Sequence, residues 1–494
     1  MRGLRSSLLL ALCLLAPEAR GKDVWIEARS EHFTLLTDDS KGVAREVLED
    51  LEQLRRLITQ SLPSHPVDSP MPTAIFAFKN EKSLRGYQPM REGKAEDWVA
   101  MFRPTAFKNF ILFRAEGGRE VVRELVFKQY LYLLLSYGDV SYPLWLRSGL
   151  ALFYGNAYIS KAHAEVGKMH PGHRRALGEY RSLRIQELFA VTTQSPRYRD
   201  ESLRPLFDAE AWALLHYLLV GRNPEGAQAL GRFLELLGEG RDPMLSFQEA
   251  MKMPVGQLES EVSNYIRKSI SLYWKVELPP LESERDFRFA EVSPDVAEAR
   301  LGEVLIAVGR LDEARARLSA AVERAPDLPD AYEGLGFLSA TEKDSASALS
   351  FLEKAVSKGA TNPQVHYHYA RILLDQYRGG DSEIPEPVRA SALSALHKTL
   401  DADPSNADAA RLFGFLRLFD GPAQEGVDVV KKALETSPGS VSLLFILGQL
   451  YARQENFSAA RAVYEHLLSR KLDSEMVADV RRQLDWVIAK MGTP

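Results

Sequence analysis

The 494-residue chain contains one cysteine, Cys13. A single thiol excludes a disulfide framework, a multi-cysteine zinc site and an iron–sulfur cluster. Neither sign of charge dominates: 62 Lys+Arg stand against 67 Asp+Glu, a formal net charge of −5. That balance excludes the basic footprint of a nucleic-acid-binding protein. Beyond the first twenty-one residues no apolar run approaches the roughly 18 continuous residues of a membrane span. With 45% hydrophobic and 26% charged residues, the composition is neither that of a disordered chain nor that of a polytopic membrane protein. There is no His-Glu-x-x-His, no G-x-S-x-G, no P-loop, no dinucleotide-binding glycine fingerprint and no EF-hand loop. The length is too great for one ordinary core; at about 150 residues per domain it implies about three.

The N-terminus reads as an export signal. Arg2 and Arg5 form a positive region, Leu8 to Ala16 an apolar run that is too short to span a bilayer, and Pro17 breaks it. Ala19 and Gly21 supply small residues before a cut at Lys22, so residues 1–21 are expected to be removed. Cys13 leaves with them. The mature chain, free of cysteine and placed in a periplasmic or extracellular setting, must then hold its fold by packing alone.

The last two hundred residues repeat. Leu301–Gly302, Ala314, Leu318, Ala321 and Pro326 return 34 residues later as Leu335–Gly336, Ala348, Leu352, Ala355 and Ala360. A third unit keeps Tyr369–Ala370, Ala392, Leu396 and Pro404, with about ten extra residues around Gly379–Pro387 that read as a loop. A fourth shows Phe413–Gly414, Val430, Ala433 and Pro438; a fifth shows Leu447–Gly448, Tyr451, Ala460 and Tyr464. Small residues recur where two helices cross closely, and proline ends the second helix. This spacing resembles the tetratricopeptide repeat (TPR). The expectation is five units over 294–474 and a capping helix over 475–494. The resemblance implies a concave groove lined by the first helix of each pair. The inward positions are then Phe337, Tyr367, Arg371, Arg411, Phe415, Phe419, Phe445 and Arg453, aromatic and arginine residues of the kind that carry binding energy. The implied partner is an extended peptide or a partner helix. An acidic array, 23 Lys+Arg against 30 Asp+Glu over 291–494, does not fit a basic clamp for carboxylate tails.

Residues 22–280 read as α+β. Val24–Thr37 alternates like a strand, Lys41–Leu62 has a helical period, Pro72–Phe78 is a second strand and Trp98–Phe113 a hairpin or paired strands. Helices are expected at 119–137, 143–156, 183–190, 208–221, 225–238 and 245–271, the last broken at Pro254. Residues 281–293, following Pro279–Pro280, read as a linker, and Lys161–Arg175 as a polar loop. The whole chain is thus expected to be predominantly helical: an α+β domain followed by an all-α solenoid.

Within 119–156, Trp145–Leu146 and Gly149–Leu150–Ala151–Leu152–Phe153–Tyr154 resemble the second helix of peptidase-MA-like, gluzincin-type domains, which are often fused to TPR arrays in exported bacterial proteins. Glu187–Val191, Phe207–Leu219 and Trp25–Thr34 continue the resemblance. It implies two zinc-binding histidines at i and i+4, a glutamate base beside the first, and a glutamate ligand on the next helix. Here Lys128 and Tyr132 stand at the histidine positions, Gln129 at the base and Ser148 at the third ligand. An ammonium repels zinc, a carboxamide accepts no proton at neutral pH, and a hydroxyl is a poor zinc ligand.

The implied function is therefore an exported interaction scaffold with a catalytically inactive peptidase-like domain that can still hold peptide. No cofactor, metal, nucleic acid or membrane span is expected. The rival reading is a hydrolase that uses a relocated metal or a Ser148/Lys128 nucleophile–base pair. His170 and His173, with His163, are the nearest histidine group for such a metal. His216 reads as a satisfied core histidine, and His366 and His368 as facing different ways on one helix.

Overall fold

The computed structural model describes residues 24–61, 67, 69, 71–137, 142–160, 162–179, 184–268, 272–278, 287–377, 384–470 and 472–492. The expected export signal and most of the extra residues in the third repeat lie outside them.

The strands decide the layering. Trp25–Arg29 (β1), Thr34–Thr37 (β2), Thr73–Phe78 (β3), Ala100–Pro104 (β4) and Asn109–Arg114 (β5) are apolar at both sets of alternate positions. A strand of that composition needs cover on both faces. These strands and Arg288–Val292 (β9) form one sheet in the order β9-β1-β2-β3-β5-β4. The β2–β3 and β3–β5 pairs are parallel, and the outer pairs antiparallel. The single strand expected over Val24–Thr37 is two strands, because Ser30 N–H donates to the Phe33 carbonyl at 2.9 Å and turns the chain back. Strand β9 stands in the expected linker. Its Phe289, with Phe287, packs on the core, both rings lie under the Arg45 guanidinium, and its backbone pairs with the otherwise open edge of β1.

One sheet face, with Ala28, Leu35, Ile75, Ala77, Ile111 and Phe113, packs under helices Lys41–Ser61 (α1) and Arg119–Leu134 (α2). Leu144–Gly155 (α3), Pro171–Glu179 (α4), Arg204–His216 (α5), Glu225–Gly238 (α6), Pro243–Met251 (α7) and Val255–Lys268 (α8) extend the same core around Trp145, Phe233 and Phe247. A small sheet of Tyr158–Ile159 (β6), His163–Val166 (β7) and Trp274–Glu277 (β8) lies beside them. It corrects the expected loop over Lys161–Arg175: β7 is held on both edges, and Pro171 opens α4 with the fixed φ that suits a first helical position.

Among the described residues, the C-terminal part is five antiparallel helix pairs and a last helix. They are Pro294–Ala307 (α9) with Leu311–Arg324 (α10), Pro329–Thr341 (α11) with Ser345–Ser357 (α12), Pro363–Asp375 (α13) with Glu386–Ala402 (α14), Ala407–Leu416 (α15) with Ala423–Thr436 (α16), Val441–Arg453 (α17) with Phe457–Leu468 (α18), then Ser474–Met491 (α19). Side chains of Asp344, Asn362, Asn406, Ser440 and Asn456 accept backbone N–H groups and start individual helices. The repeated glycines have a packing reason. A Cβ on Gly302 would lie 2.7 Å from Leu318, and one on Gly336 2.7 Å from Leu352, so each pair closes at the same register.

The two parts share a core. The second face of the sheet, with Trp25, Leu36, Phe76, Phe78, Met101, Phe110 and Leu112, packs on Leu301, Val304, Leu305, Leu335 and Leu338 of α9 and α11. Polar contacts rim this layer: Arg310 donates to the Gly86 carbonyl at 2.6 Å, and Arg317 to the Tyr87 hydroxyl at 2.9 Å.

Candidate functional site

The positions implied as a former metal site are gathered at the meeting of α2, α3 and α5. Lys128 and Tyr132 lie one turn apart on α2, and Ser148 is fully buried on α3. Gly149 lets α3 cross α5 closely: a Cβ there would lie 2.9 Å from the Ala211 carbonyl oxygen. The Tyr132 hydroxyl lies against Ser148 and the Arg204 guanidinium. Arg204 approaches Asp208 at 3.7 Å. Burial holds the Asp208 carboxyl above its usual range although Arg204 and Lys128 both pull it down. Burial drives the Tyr132 phenol up, aided by Asp208. The cluster thus carries two cations and one carboxylate, a charge set that repels a further cation. Gln129 is half-buried on the same helix. Ser148, with no solvent exposure, cannot meet a substrate where it stands.

The histidines are accounted for individually. His173 is buried against Trp212, and burial, then His170 and Lys128, pushes it down to about 3. His170 lies 3.9 Å from Glu124. Among the described residues no group of three His, Cys, Asp or Glu side chains is placed to hold a metal ion. His216 is a core histidine with both nitrogens used. Its Nε2–H donates to the Leu272 carbonyl at 3.0 Å, and Nδ1 accepts from the Tyr265 hydroxyl at 2.9 Å. Burial pushes it from 6.5 down to about 4. The depressed value sets the sign of a pH effect. Neutral His216 contributes stability above pH 6.5, and that contribution is lost as pH falls toward 4. In urea titrations the His216→Phe variant is expected to lose less stability on acidification than the parent, by about 1 kcal/mol per pH unit below 6. Parallel acid slopes would show that His216 takes no part.

The proposed groove positions divide into two sets. Phe337 is buried at 3% exposure, because the turn between β4 and β5 enters the concave face there. Phe107 of that turn stacks on Phe337 with ring centroids 4.4 Å apart and meets His368 at 4.6 Å. His368 Nε2–H donates to the Ala106 carbonyl at 3.1 Å, and its Nδ1 accepts from Arg371 at 3.3 Å. Lys108 reaches Glu303 at 2.8 Å and Glu333 at 2.5 Å. At the first three repeats, then, the groove already holds a segment of its own chain. His366 points elsewhere, donating to the Ala360 carbonyl at 2.8 Å.

Farther along, Tyr367 is buried among Arg371, Arg411, Asp375 and Asp408. Arg371 pairs with Asp375 at 3.4 Å, and Arg411 stands 3.9 Å from Asp408. Phe415 meets Phe419 edge-on at 5.1 Å, and Phe419 is 62% exposed; it stands in the turn after α15, not on the inward face of that helix as expected, because α15 ends at Leu416. Phe445 packs toward Tyr464 at 6.1 Å, and Arg453 binds the Arg417 carbonyl at the end of α15. The residues absent from the sequence reading are Phe107, Lys108, Glu303 and Glu333. The one local signal for them is a phenylalanine at a hairpin tip, where turns are ordinarily polar.

With this geometry in hand, the family profile of the tetratricopeptide repeat matches residues 299–376 and 423–474. The helices of those two segments are tetratricopeptide repeats. Among solved structures the chain is similar to YrrB, described as a TPR protein with an unusual peptide-binding site (20% identity, 37% of this chain and 90% of that chain, TM-score 0.33). It is also similar to MamA from Desulfovibrio magneticus RS-1 (18%, 36% and 95%, TM-score 0.28). A third is PilF of Pseudomonas aeruginosa (18%, 40% and 90%, TM-score 0.28). No match is found among curated proteins. Among the described residues no helix is long and apolar enough to cross a membrane.

Proposed function

We propose that this TPR protein is an exported interaction scaffold whose later repeats hold an extended peptide or partner helix. The observation that carries the reading is the divided exposure of the array's aromatic side chains. Phe337 is covered by the chain's own turn, whereas Phe419, beside Phe415, stays exposed with Arg411 nearby along the array. Exposed aromatic and arginine side chains are the usual anchors of such surfaces. Panning a peptide-display library against the full chain is expected to enrich sequences whose binding weakens at least about tenfold in Phe419→Ser and in Arg411→Ser. Enriched peptides indifferent to both substitutions, or no enrichment, would overturn the assignment.

The N-terminal part, in the same reading, is a peptidase-like domain without metal chemistry. Supporting it, Tyr132, Ser148, Arg204 and Asp208 gather at one buried point, with the half-buried Lys128 close enough for its charge to act on Asp208. After incubation with zinc and desalting, the protein is expected to carry almost no metal. About one zinc per chain, lost on replacing His170 and His173, would contradict this. Labelling of Ser148 by a serine-reactive probe would instead favour the hydrolase reading.

A further inference from the structure

Between the first half of α2, the end of α3 and the segment that leads from β7 into α4 lies a cavity of about 270 Å³. It opens to solvent beside the exposed Tyr158 and runs along Gly155–Tyr158, which joins α3 to the outer strand β6. That strand pairs with β7 on one side only. Met169 and the Tyr158 ring, with the Lys168 ammonium 5.3 Å from its centroid, give the walls apolar surface. Tyr132, Ser148 and Arg204 do not line this cavity, so it is distinct from the point where they meet.

The wall holds three buried polar atoms that bond nothing among the described residues: Nδ2 and Oδ1 of Asn156, and Nε of Arg123. Such atoms are scarce in folded proteins, because each has given up water without a replacement. The cations of the wall are already matched. Arg123 donates through Nη2 to Asp50 at 2.9 Å, and Lys168 pairs with Glu165. What the wall lacks is therefore hydrogen bonds and not a counter-ion: an acceptor for Nδ2–H and Nε–H, and a donor for Oδ1. A carboxylate ligand brings no donor and would meet Glu120 and Glu124. An ammonium brings no acceptor. A secondary amide brings both, a carbonyl oxygen with two lone pairs and an N–H, in one plane. The χ2 torsion of asparagine is broad, so a turn of the carboxamide presents both of its atoms to the cavity.

We propose that this cavity binds a main-chain amide of an extended peptide. Asn156 takes both halves of the amide, Arg123 Nε–H adds a second bond to its carbonyl, and the flanking residues lie on Tyr158 and Met169. The neighbouring strand edge favours a peptide over other secondary amides, since an extended chain beside β6 carries amides past it at regular intervals. The site rests neither on the groove of the later repeats nor on the peptidase resemblance, and stands or falls apart from both.

Methyl NMR of the full chain tests it, with carbon-13 methionine labels and N-acetyl-trialanine methylamide as probe. Met169 is the reporter, identified by the loss of its signal in Met169→Leu; a peptide held by the later repeats leaves it unmoved. A saturable shift of this methyl is expected. The same peptide with every amide nitrogen methylated has no donor for Asn156 Oδ1 and should bind at least about tenfold more weakly. Asn156→Ala should weaken the parent peptide at least about tenfold as well. It should not lower the midpoint of thermal unfolding, because the carboxamide bonds nothing among the described residues. Should Asn156→Ala fail to fold, the N-methylated peptide decides. Absence of a saturable shift, equal binding of the N-methylated peptide, or undiminished binding in a folded Asn156→Ala would overturn the proposal. So would a shift with N-acetylglucosamine and none with the peptide, the mark of an acetamido-sugar site.

Discussion

A chain ending at residue 278 is expected not to fold into a cooperative domain, although it retains all of α1 to α8. The cut removes β9 and both helices that cover the second sheet face. Trp25, Leu36, Phe76, Phe78, Met101, Phe110 and Leu112 would then face water. At about 1.5–3 kcal/mol for each large apolar side chain, their combined burial is worth on the order of 10–20 kcal/mol. A typical domain has only about 5–15 kcal/mol in total. The fragment should therefore bind a hydrophobic dye strongly, lack near-ultraviolet circular dichroism and unfold without a sigmoidal urea transition. The converse fragment, residues 325–492, should keep a cooperative transition, because each repeat is stabilised mainly by its neighbours. A sharp urea transition with native near-ultraviolet signal in the N-terminal fragment would show that the second face does not need the repeats.

Replacing Lys108 by methionine is expected to cost about 3–5 kcal/mol near pH 8, the range for stranding buried charge by removal of one partner. The side chains of Glu303 and Glu333 are only 6% and 8% exposed, and both bond to this ammonium. The loss should depend on pH, and its sign follows from the raised Glu303 carboxyl. A carboxyl whose folded-state pKa is raised contributes stability below its unfolded value, and that contribution is lost as pH rises through the folded one. Without the ammonium the Glu303 carboxyl rises further, so the variant should recover much of its stability at pH 5. Adding Glu303→Gln and Glu333→Gln should restore most of the deficit at pH 8, since no buried charge is then left unmatched. Urea midpoints at the two pH values measure all three. A deficit under about 1 kcal/mol at pH 8, equal at pH 5, would mean that the lysine is effectively solvated and that the turn is not anchored by charge.

Much of this organisation is legible residue by residue. The return of Leu-Gly, Ala and Leu at a spacing of 34 reports a packing unit that closes at Gly302 on Leu318 and again at Gly336 on Leu352. The alternation in TAIFAF and NFILFR reports strands apolar on both sides. His216 reads as a core histidine because it sits within an apolar helix. The strand at 288–292 is illegible, because its Phe287 and Phe289 lie among charges and only the open edge of β1 makes pairing there favourable. His163 and Pro171 read as loop because the partner that turns His163–Val166 into a strand is Trp274–Glu277, more than a hundred residues away.

What the amino-acid order determined by itself is local: the helix pairs and the doubly apolar strands. What only the tertiary structure decided is which apolar face meets which. The inward faces of α9, α11 and α13 read as the start of a binding groove, yet they close on the sheet and on Phe107 and Lys108. Hydrophobic periodicity states that a face must be covered but carries no address for its cover. That address was set by shape and charge across contacts such as Lys108 with Glu303, 195 residues apart in the chain.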